Sequence, residues 1–446
     1  MKRLKTRTLF VLFFTALLGL GMGFLLFSYV RDGAYWAAHR PAGSISSGRI
    51  TDRNGVVLYD YESGTYSDEY EVRTSTIHAV GDRTGSIASG ARQVFAGSMS
   101  SFNLITGIST RTEELRLSLD SKLNVRAWEA MEGRKGTVGL YNYRTGEVLC
   151  MLSTPVFDPE DKAQIEAINS GAEAYTGAYM NRFLSSTYTP GSTFKIVTTA
   201  AALETLPDID DFAFHCTGAV SYGDHSITCP RTHGWLNLSD ALADSCNGAF
   251  GELANRVGSE TLYKYAKEAG LLDRMEVSGI KTAAGSFATT GVPIDIGWSG
   301  IGQYKDLVNP CAEMTLMGCI AGGGTAAAPR LLSAKGGLFA KEPESTSIGW
   351  EPSTCTRLKE LMRNNVVNHY GQSQFGDLPV CAKSGTAEVG GDSAPHAWFT
   401  GFIDSDEYPY AFVVIIENGG WGSQQAGAVA AQVLESACTP EAESEE

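Results

Sequence analysis

Pro190-Gly191-Ser192-Thr193-Phe194-Lys195-Ile196-Val197 is the stretch on which the reading of this chain turns. The Pro-Gly pair marks a turn, and the apolar residues after it, with the alanine-rich stretch 200–202, mark a buried helix. Ser192 then falls in the first turn, with its backbone N–H free and the positive end of the helix dipole close by. Lys195 follows three residues on, on the same face. Among apolar neighbours its ammonium loses solvation and its pKa falls, so a neutral amine can take a serine proton. The same spacing recurs at Ser278-Gly279-Ile280-Lys281, where Gly279 weakens a helix. Spacing alone is therefore a weak signal, and a serine cap followed by a surface lysine would explain it as well.

Two later stretches supply what the first lacks. Ser245-Cys246-Asn247 lies between the helix-like runs 236–243 and 250–257, in a loop suited to reaching a cleft. There Ser245 can relay a proton between Lys195 and a leaving amine, and Asn247 can donate to a substrate carbonyl. Taken singly, the tripeptide reads more simply as a helix cap. Lys383-Ser384-Gly385-Thr386 follows Val380-Cys381-Ala382, the start of a strand. Gly385 leaves room for a backbone to approach, and the Ser384 and Thr386 hydroxyls, backed by Lys383, suit a substrate carboxylate. Lys335-Gly336-Gly337 competes for this third role. The N–H groups of Ser192 and Thr386 make a candidate oxyanion pair, worth ~2.7–4 kcal/mol per donor. In order along one chain, the three stretches provide a nucleophile, a base, a proton path and oxyanion donors, the parts of acyl transfer through a serine ester. This chemistry calls for no cofactor and no metal.

Outward from these motifs, the pattern predicts an α+β domain. Thr137–Tyr141 and Glu147–Met151 flank Arg144-Thr145-Gly146 as a hairpin, and Ala397–Phe402 and Ala411–Ile416 read as strands. Leu115, Leu117 and Leu119 alternate as a half-buried strand does, Leu123–Met131 is a helix, and Gly427–Ala437 a closing helix. Strands near both ends with helices between predict one sheet built from both chain ends. Before it, residues 49–115 are polar and rich in Gly, Ser and Thr, with Asn54-Gly55 as a hairpin signal. The division expected is a cytoplasmic tip and anchor at 1–30, a short pedestal at 31–114 that includes a linker at Ser44–Gly48, the catalytic domain at 115–438 and a disordered acidic tail at 439–446.

The N-terminus sets the compartment. Lys2, Arg3, Lys5 and Arg7 precede Thr8–Val30, a run without charge that is long enough to span a bilayer. An uncleaved, single-pass anchor in the cell membrane is favoured over a cleaved signal, whose apolar region is ~7–15 residues. The basic cluster stays in the cytoplasm and places the rest outside. A net charge of −15 in 446 residues argues against nucleic acid as a partner. The nine cysteines, an odd number, exclude a fully paired intramolecular framework. Cys150, Cys311, Cys319 and Cys381 have apolar or small neighbours and read as buried thiols. Cys216, His225, Cys229 and His233 have metal-like spacing. Because Cys216 and Cys229 flank a hairpin at Tyr222-Gly223-Asp224 in an extracytoplasmic segment, a disulfide or free thiols are preferred there over zinc.

With these residues in view, the chain resembles the class B penicillin-binding proteins from about Arg49 to Ala437. Ser47-Gly48-Arg49 to Gly55, Asp120, Thr145–Leu149, Ser153-Thr154-Pro155 and Phe157-Asp158-Pro159 are similar to that family's opening segments. Tyr188–Lys195 looks like its nucleophile segment. Ile301-Gly302-Gln303, Asn309-Pro310, Gly322-Gly323-Gly324, His396–Phe399 and Glu417–Gly420 resemble later ones, and His233-Gly234 looks like a structural position. Ser384 stands where a threonine is usual, and the pedestal is short. The resemblance implies a penicillin-recognising serine transpeptidase fold, a central antiparallel sheet flanked by helices. It also implies peptidoglycan stem peptides ending in D-Ala-D-Ala as substrates and β-lactams as trapping agents. A multispanning glycan polymerase of the shape, elongation, division and sporulation family is the implied partner. Two rivals stand beside it: a D,D-carboxypeptidase or β-lactamase-type hydrolase, and a catalytically silent scaffold or β-lactam sensor. A deacylating glutamate would be expected some 35 residues past the second motif. Only Glu276 falls there, without an asparagine partner.

Overall fold

The computed structural model describes residues 2–38, 48–99, 114–288, 290–333, 343–391 and 393–439. Most of the linker (44–47), the competing Lys335-Gly336-Gly337 and the acidic tail from residue 440 lie outside the described residues. Helix α1 (Lys2–Ala38) contains Arg7–Ser28, with a mean hydropathy of 2.4 and none of it buried against the rest of the protein. Its length and composition are those of a membrane anchor.

Next comes a four-stranded sheet in the order Thr65–Tyr66, Val57–Asp60, Arg49–Thr51, Glu114–Arg116. Gly55, at φ +90°, makes the turn that Asn54-Gly55 predicts. Asp52 fastens it: one carboxylate oxygen accepts the N–H groups of Asn54 and Val56, and the other accepts the N–H and hydroxyl of Ser121 in the next unit. The packed apolar interior runs without a break from Ile50 and Leu58 into Tyr141 and Phe157.

The central sheet has five antiparallel strands: β1 (Gly136–Asn142), β2 (Val148–Thr154), β3 (Val380–Ala387), β4 (His396–Ile403) and β5 (Tyr410–Ile416). Their order is β3-β4-β5-β1-β2, so both chain ends build one sheet, as the sequence predicts. In β1, β2, β4 and β5 all but the outermost positions are buried on both faces, because helices cover each side, whereas β3 leaves Ser384 and Thr386 half-buried. Helix α2 (Ser121–Met131), capped by the Asp120 carboxylate on the Leu123 N–H, packs with the C-terminal helix on one face. That last helix runs Gly422–Cys438, starting earlier than the expected Gly427. Pro310–Ala321, buried on every side, covers the other face. Leu115, Leu117 and Leu119 are all buried, but only Glu114–Arg116 is strand, since Leu117 pairs singly with Leu332. Cys150, Cys311, Cys319 and Cys381 are buried free thiols.

Candidate active site

Three pieces of chain meet at the open edge of β3. The nucleophile segment differs from the expected α-helical start. Gly191–Phe194 forms a 3-10 turn, and helix α3 (Lys195–Thr205) begins only at the lysine. In a 3-10 turn, residues i and i+3 eclipse, which keeps Ser192 and Lys195 on one side. Gly191 has φ +56°, and a Cβ there would come within 2.9 Å of the Thr386 carbonyl oxygen. Its N–H donates to the Gly302 carbonyl at 2.8 Å, which locks the turn to the Ile301-Gly302-Gln303 stretch. From Lys195 to Ala202 every residue of α3 is buried. By contrast, Ser278-Gly279 forms the turn of a small hairpin, with positive φ at both residues and no helix.

The second motif sits between Leu238–Ala243 and a helix beginning at Asn247. Ser245 holds φ +53°, uncommon for a residue with a side chain and a frequent mark of functional positions. This turn brings both its carbonyl and its hydroxyl to Lys195. The Lys195 Nζ donates to the Ser245 carbonyl at 2.6 Å and to Asn247 Oδ1 at 2.8 Å, and lies 3.1 Å from Ser245 Oγ. Lys383 reaches the same hydroxyl from β3, with its Nζ 3.1 Å from Ser245 Oγ and 2.8 Å from the Ser384 carbonyl. One hydroxyl thus bridges two amines.

Both lysines are fully buried. Burial, and then the charge of Lys383, hold the Lys195 amine well below the ordinary lysine range. Burial pushes Lys383 down to about 7. Two carbonyl oxygens can only accept, so they use both hydrogens of a neutral Lys195 amine and leave its lone pair for a hydroxyl proton.

Ser192, Ser245, Asn247, Ser384 and Thr386 line one cleft of about 700 Å³. Along β3 the alternation turns Ser384 and Thr386 toward it and buries Lys383 and Gly385 behind. Two details add to the sequence reading. A Cβ on Gly385 would lie 2.9 Å from the Pro190 carbonyl and from Thr193 Cγ2, so the glycine admits the protein's own nucleophile turn. Asn247, which lines the cleft, donates from its side-chain amide to the Thr228 carbonyl at 2.9 Å and turns its oxygen toward Lys195. The cleft is also lined by Thr228, Pro230 and Arg231, from the segment 214–236 that stands opposite β3.

Sequence reasoning passed over Tyr370, Glu313 and Arg182, and gave Tyr188, Trp398 and Glu417 no individual role. The Tyr370 hydroxyl accepts the Ser384 N–H at 3.2 Å and lies 3.4 Å from Lys383 Nζ. It comes from a π-helical turn, Val366–Gly371, that leaves no pattern in sequence. Glu313, buried in Pro310–Ala321, faces Thr193 and is pushed up to about 7 by burial. Arg182 and the Tyr188 hydroxyl both donate to Glu417 Oε1 at 2.8 Å, and Trp398 Nε1 donates to the Thr189 carbonyl, which braces the approach to the nucleophile. Glu276 sits exposed on the hairpin 276–281 and is not among the cleft residues.

The geometry agrees with comparisons to known proteins. Residues 136–436 match the model of the penicillin binding protein transpeptidase domain. Over 381 residues the chain is 29% identical to the peptidoglycan D,D-transpeptidase PbpA of Mycobacterium tuberculosis, covering 77% of this chain and 74% of that one. It superposes on penicillin-binding protein A of M. tuberculosis in its ceftriaxone acyl-enzyme complex with a TM-score of 0.73 and 23% identity, over 89% of this chain and 99% of that one. A chain of a peptidoglycan synthase complex, described as coordinating polymerization and crosslinking, matches at TM-score 0.65 and 25% identity, over 74% of this chain and 64% of that one.

Proposed function

The chain belongs to the penicillin-binding protein transpeptidase family, and we propose that it is a peptidoglycan D,D-transpeptidase working through an acyl-ester on Ser192. The observation that carries this reading is a dry pair of amines behind a cleft lined by Ser192, Ser245 and Thr386. The donor is a stem peptide ending in D-Ala-D-Ala. Ser192 Oγ attacks the penultimate D-Ala carbonyl carbon as its proton passes to the neutral Lys195 amine. The oxyanion takes the N–H groups of Ser192 and Thr386, and the substrate carboxylate meets the Ser384 and Thr386 hydroxyls. The Ser245 hydroxyl, between both amines, hands a proton to the departing nitrogen; the C–N bond breaks and D-Ala leaves. An amine of a second stem then attacks the ester, and Ser192 recovers its proton as the new amide forms.

β-Lactams present a strained amide to the same serine and remain bound as the ester, as in the M. tuberculosis complex. The basic residues before α1 support an anchor with its N-terminus in the cytoplasm, a pedestal at 31–114 and the catalytic domain at 115–438 outside. A glycan polymerase of the shape, elongation, division and sporulation family is the partner proposed, with the synthase complex among the structural neighbours as support. Full-length protein in detergent tests the reading. A fluorescent penicillin should label it covalently, Ser192→Ala should abolish the label, and a D-Ala-D-Ala peptide with an acceptor amine should give cross-linked product and free D-Ala. Rapid turnover of penicillin would instead favour the hydrolase, and labelling that survives Ser192→Ala would overturn the assignment.

A further inference from the structure

Beside the second motif, outside the acylation chemistry, four atoms of ligating type converge. Cys216 Sγ, Cys229 Sγ, Cys246 Sγ and a ring nitrogen of His233 all lie within 4.8 Å of one another. The Cys216 and Cys229 sulfurs are 3.8 Å apart, those of Cys229 and Cys246 3.7 Å, and Cys216 Sγ is 3.2 Å from His233 Nδ1. A disulfide holds its sulfurs about 2.05 Å apart, so of the two preferred sequence readings a Cys216–Cys229 bond does not describe this arrangement, whereas free thiols do. Thiolates bound to zinc at about 2.3 Å in a tetrahedron have sulfurs about 3.8 Å apart, which matches both separations. The sequence spacing put His225 in the set. His225 instead pairs with Tyr222 at the exposed end of a hairpin, and Cys246, from the second motif, takes the fourth place.

Two further features point the same way. The Gly248 N–H donates to Cys229 Sγ at 3.3 Å and the Ala249 N–H to Cys246 Sγ at 3.5 Å, so backbone dipoles already face two of the sulfurs. The segment carrying Cys216, Cys229 and His233 is packed at its two ends through Phe214 and Leu236, but the hairpin between them has little core of its own. That hairpin, Ala219–Tyr222 with His225–Thr228, buries Ile227 alone, and a two-stranded hairpin is marginal by itself.

We propose that Cys216, Cys229, His233 and Cys246 bind one zinc ion in a closed tetrahedral site that fastens the segment 214–236 to the loop carrying Ser245 and Asn247. Three thiolates and an imidazole, with no place for water, suit a structural zinc rather than an oxygen-seeking cation. Binding displaces the thiol protons to solvent and changes no oxidation state. Cys246 stands between the two residues whose oxygens hold Lys195, so the ion positions the motif without touching substrate. Metal content is measured without acylation, so this proposal can fail while the transpeptidase reading stands, and the reverse.

The test uses full-length protein purified in detergent without chelator. Elemental analysis should find one zinc per chain, and Cys229→Ser and His233→Ala should lose it. Cobalt(II) added to metal-stripped wild type should give the visible absorption of a tetrahedral thiolate site, which does not depend on either variant folding. Stripping the metal should slow acylation by a fluorescent penicillin about tenfold to a hundredfold, as expected of a small misplacement at a reactive centre, and zinc should restore it. Three free thiols at Cys216, Cys229 and Cys246 that take up neither zinc nor cobalt, or a disulfide between Cys216 and Cys229, would overturn the site. Acylation unaffected by removing a bound zinc would overturn its positioning role.

Discussion

The two walls of the cleft are built by opposite means. On one side, β3 and the nucleophile turn lean on Trp398, Phe399 and Phe402, all fully buried, and both lysines are embedded in that packing. On the other, the segment 214–236 roots Phe214, Ile227 and Leu236 in a smaller apolar cluster with Phe250 and Leu253, and its hairpin 219–228 has mostly exposed faces, held besides by the Asn247–Thr228 hydrogen bond and the cysteine cluster. The dry wall does the electrostatic work, because only where water is excluded can an amine stay neutral near neutral pH. The thin wall need only be in place. Changes to the first should therefore strike the chemistry, whereas changes to the second should reach it through the position of Ser245 and Asn247.

The sharpest way to break this contrast is Lys195→Met, which keeps the length and apolar stem but removes the base. Acylation by penicillin should fall by about 10²–10⁴-fold with melting little changed, since general-base assistance has that range. A loss under tenfold would move the base elsewhere, with Lys383 the next amine in line. The pH profile tests the division of labour between the two. Acylation needs Lys195 neutral, so its rate falls as acid protonates that amine. The charge of Lys383 helps hold Lys195 low. Lys383→Met should therefore let the Lys195 pKa rise and carry the acid limb of the acylation profile to higher pH. A limb that stays put would mean that Lys383 is itself uncharged when the enzyme works.

Smaller effects belong to the braces. Gly385→Ala places a methyl 2.9 Å from the Pro190 carbonyl and 3.0 Å from Trp398 Cβ, where neither wall can yield easily. Overpacking of this kind costs about 1–3 kcal/mol, and denaturant midpoints should show it along with slower acylation. Tyr370→Phe leaves the Ser384 N–H without its acceptor, for about 0.5–1.5 kcal/mol, and should slow acylation by no more than about tenfold. A larger drop would give Tyr370 a share in the proton path.

How much of this was readable in the chain follows the same division. The sheet, its hairpins and the order of the motifs were legible because strand alternation, turn glycines and small-residue spacings are local. Gly191 and Ser192 announced a turn into a buried helix, and only the 3-10 geometry of that turn was hidden. Tyr370 was invisible because a single aromatic residue in an irregular helical turn carries no period. The start of the last helix was obscured by Gly422-Ser423, a pair that reads as loop. Gly422 is glycine because a Cβ there would lie 2.2 Å from the Gly385 carbonyl. The thiol cluster was legible only in part: Cys216, Cys229 and His233 share a spacing, whereas Cys246 joins them from another motif, and no local rule joins a hairpin to a loop across a fold.

The mildest prediction concerns an exposed ring on the outer face of the thin wall. Trp235 is 73% exposed, and its ring rests 4.9 Å from that of His215 in the partner strand. An exposed aromatic pair in water adds little, and substitutions away from buried features usually stay within about 0.5 kcal/mol. Trp235→Ala should thus leave stability and penicillin acylation nearly unchanged, as urea melts and labelling rates would show. If stability fell by more than about 1.5 kcal/mol, beyond the usual worth of such a ring pair, the exposed strands of the segment 214–236 would have to bear on its packed ends. The two walls would then differ in composition but not in how they are held.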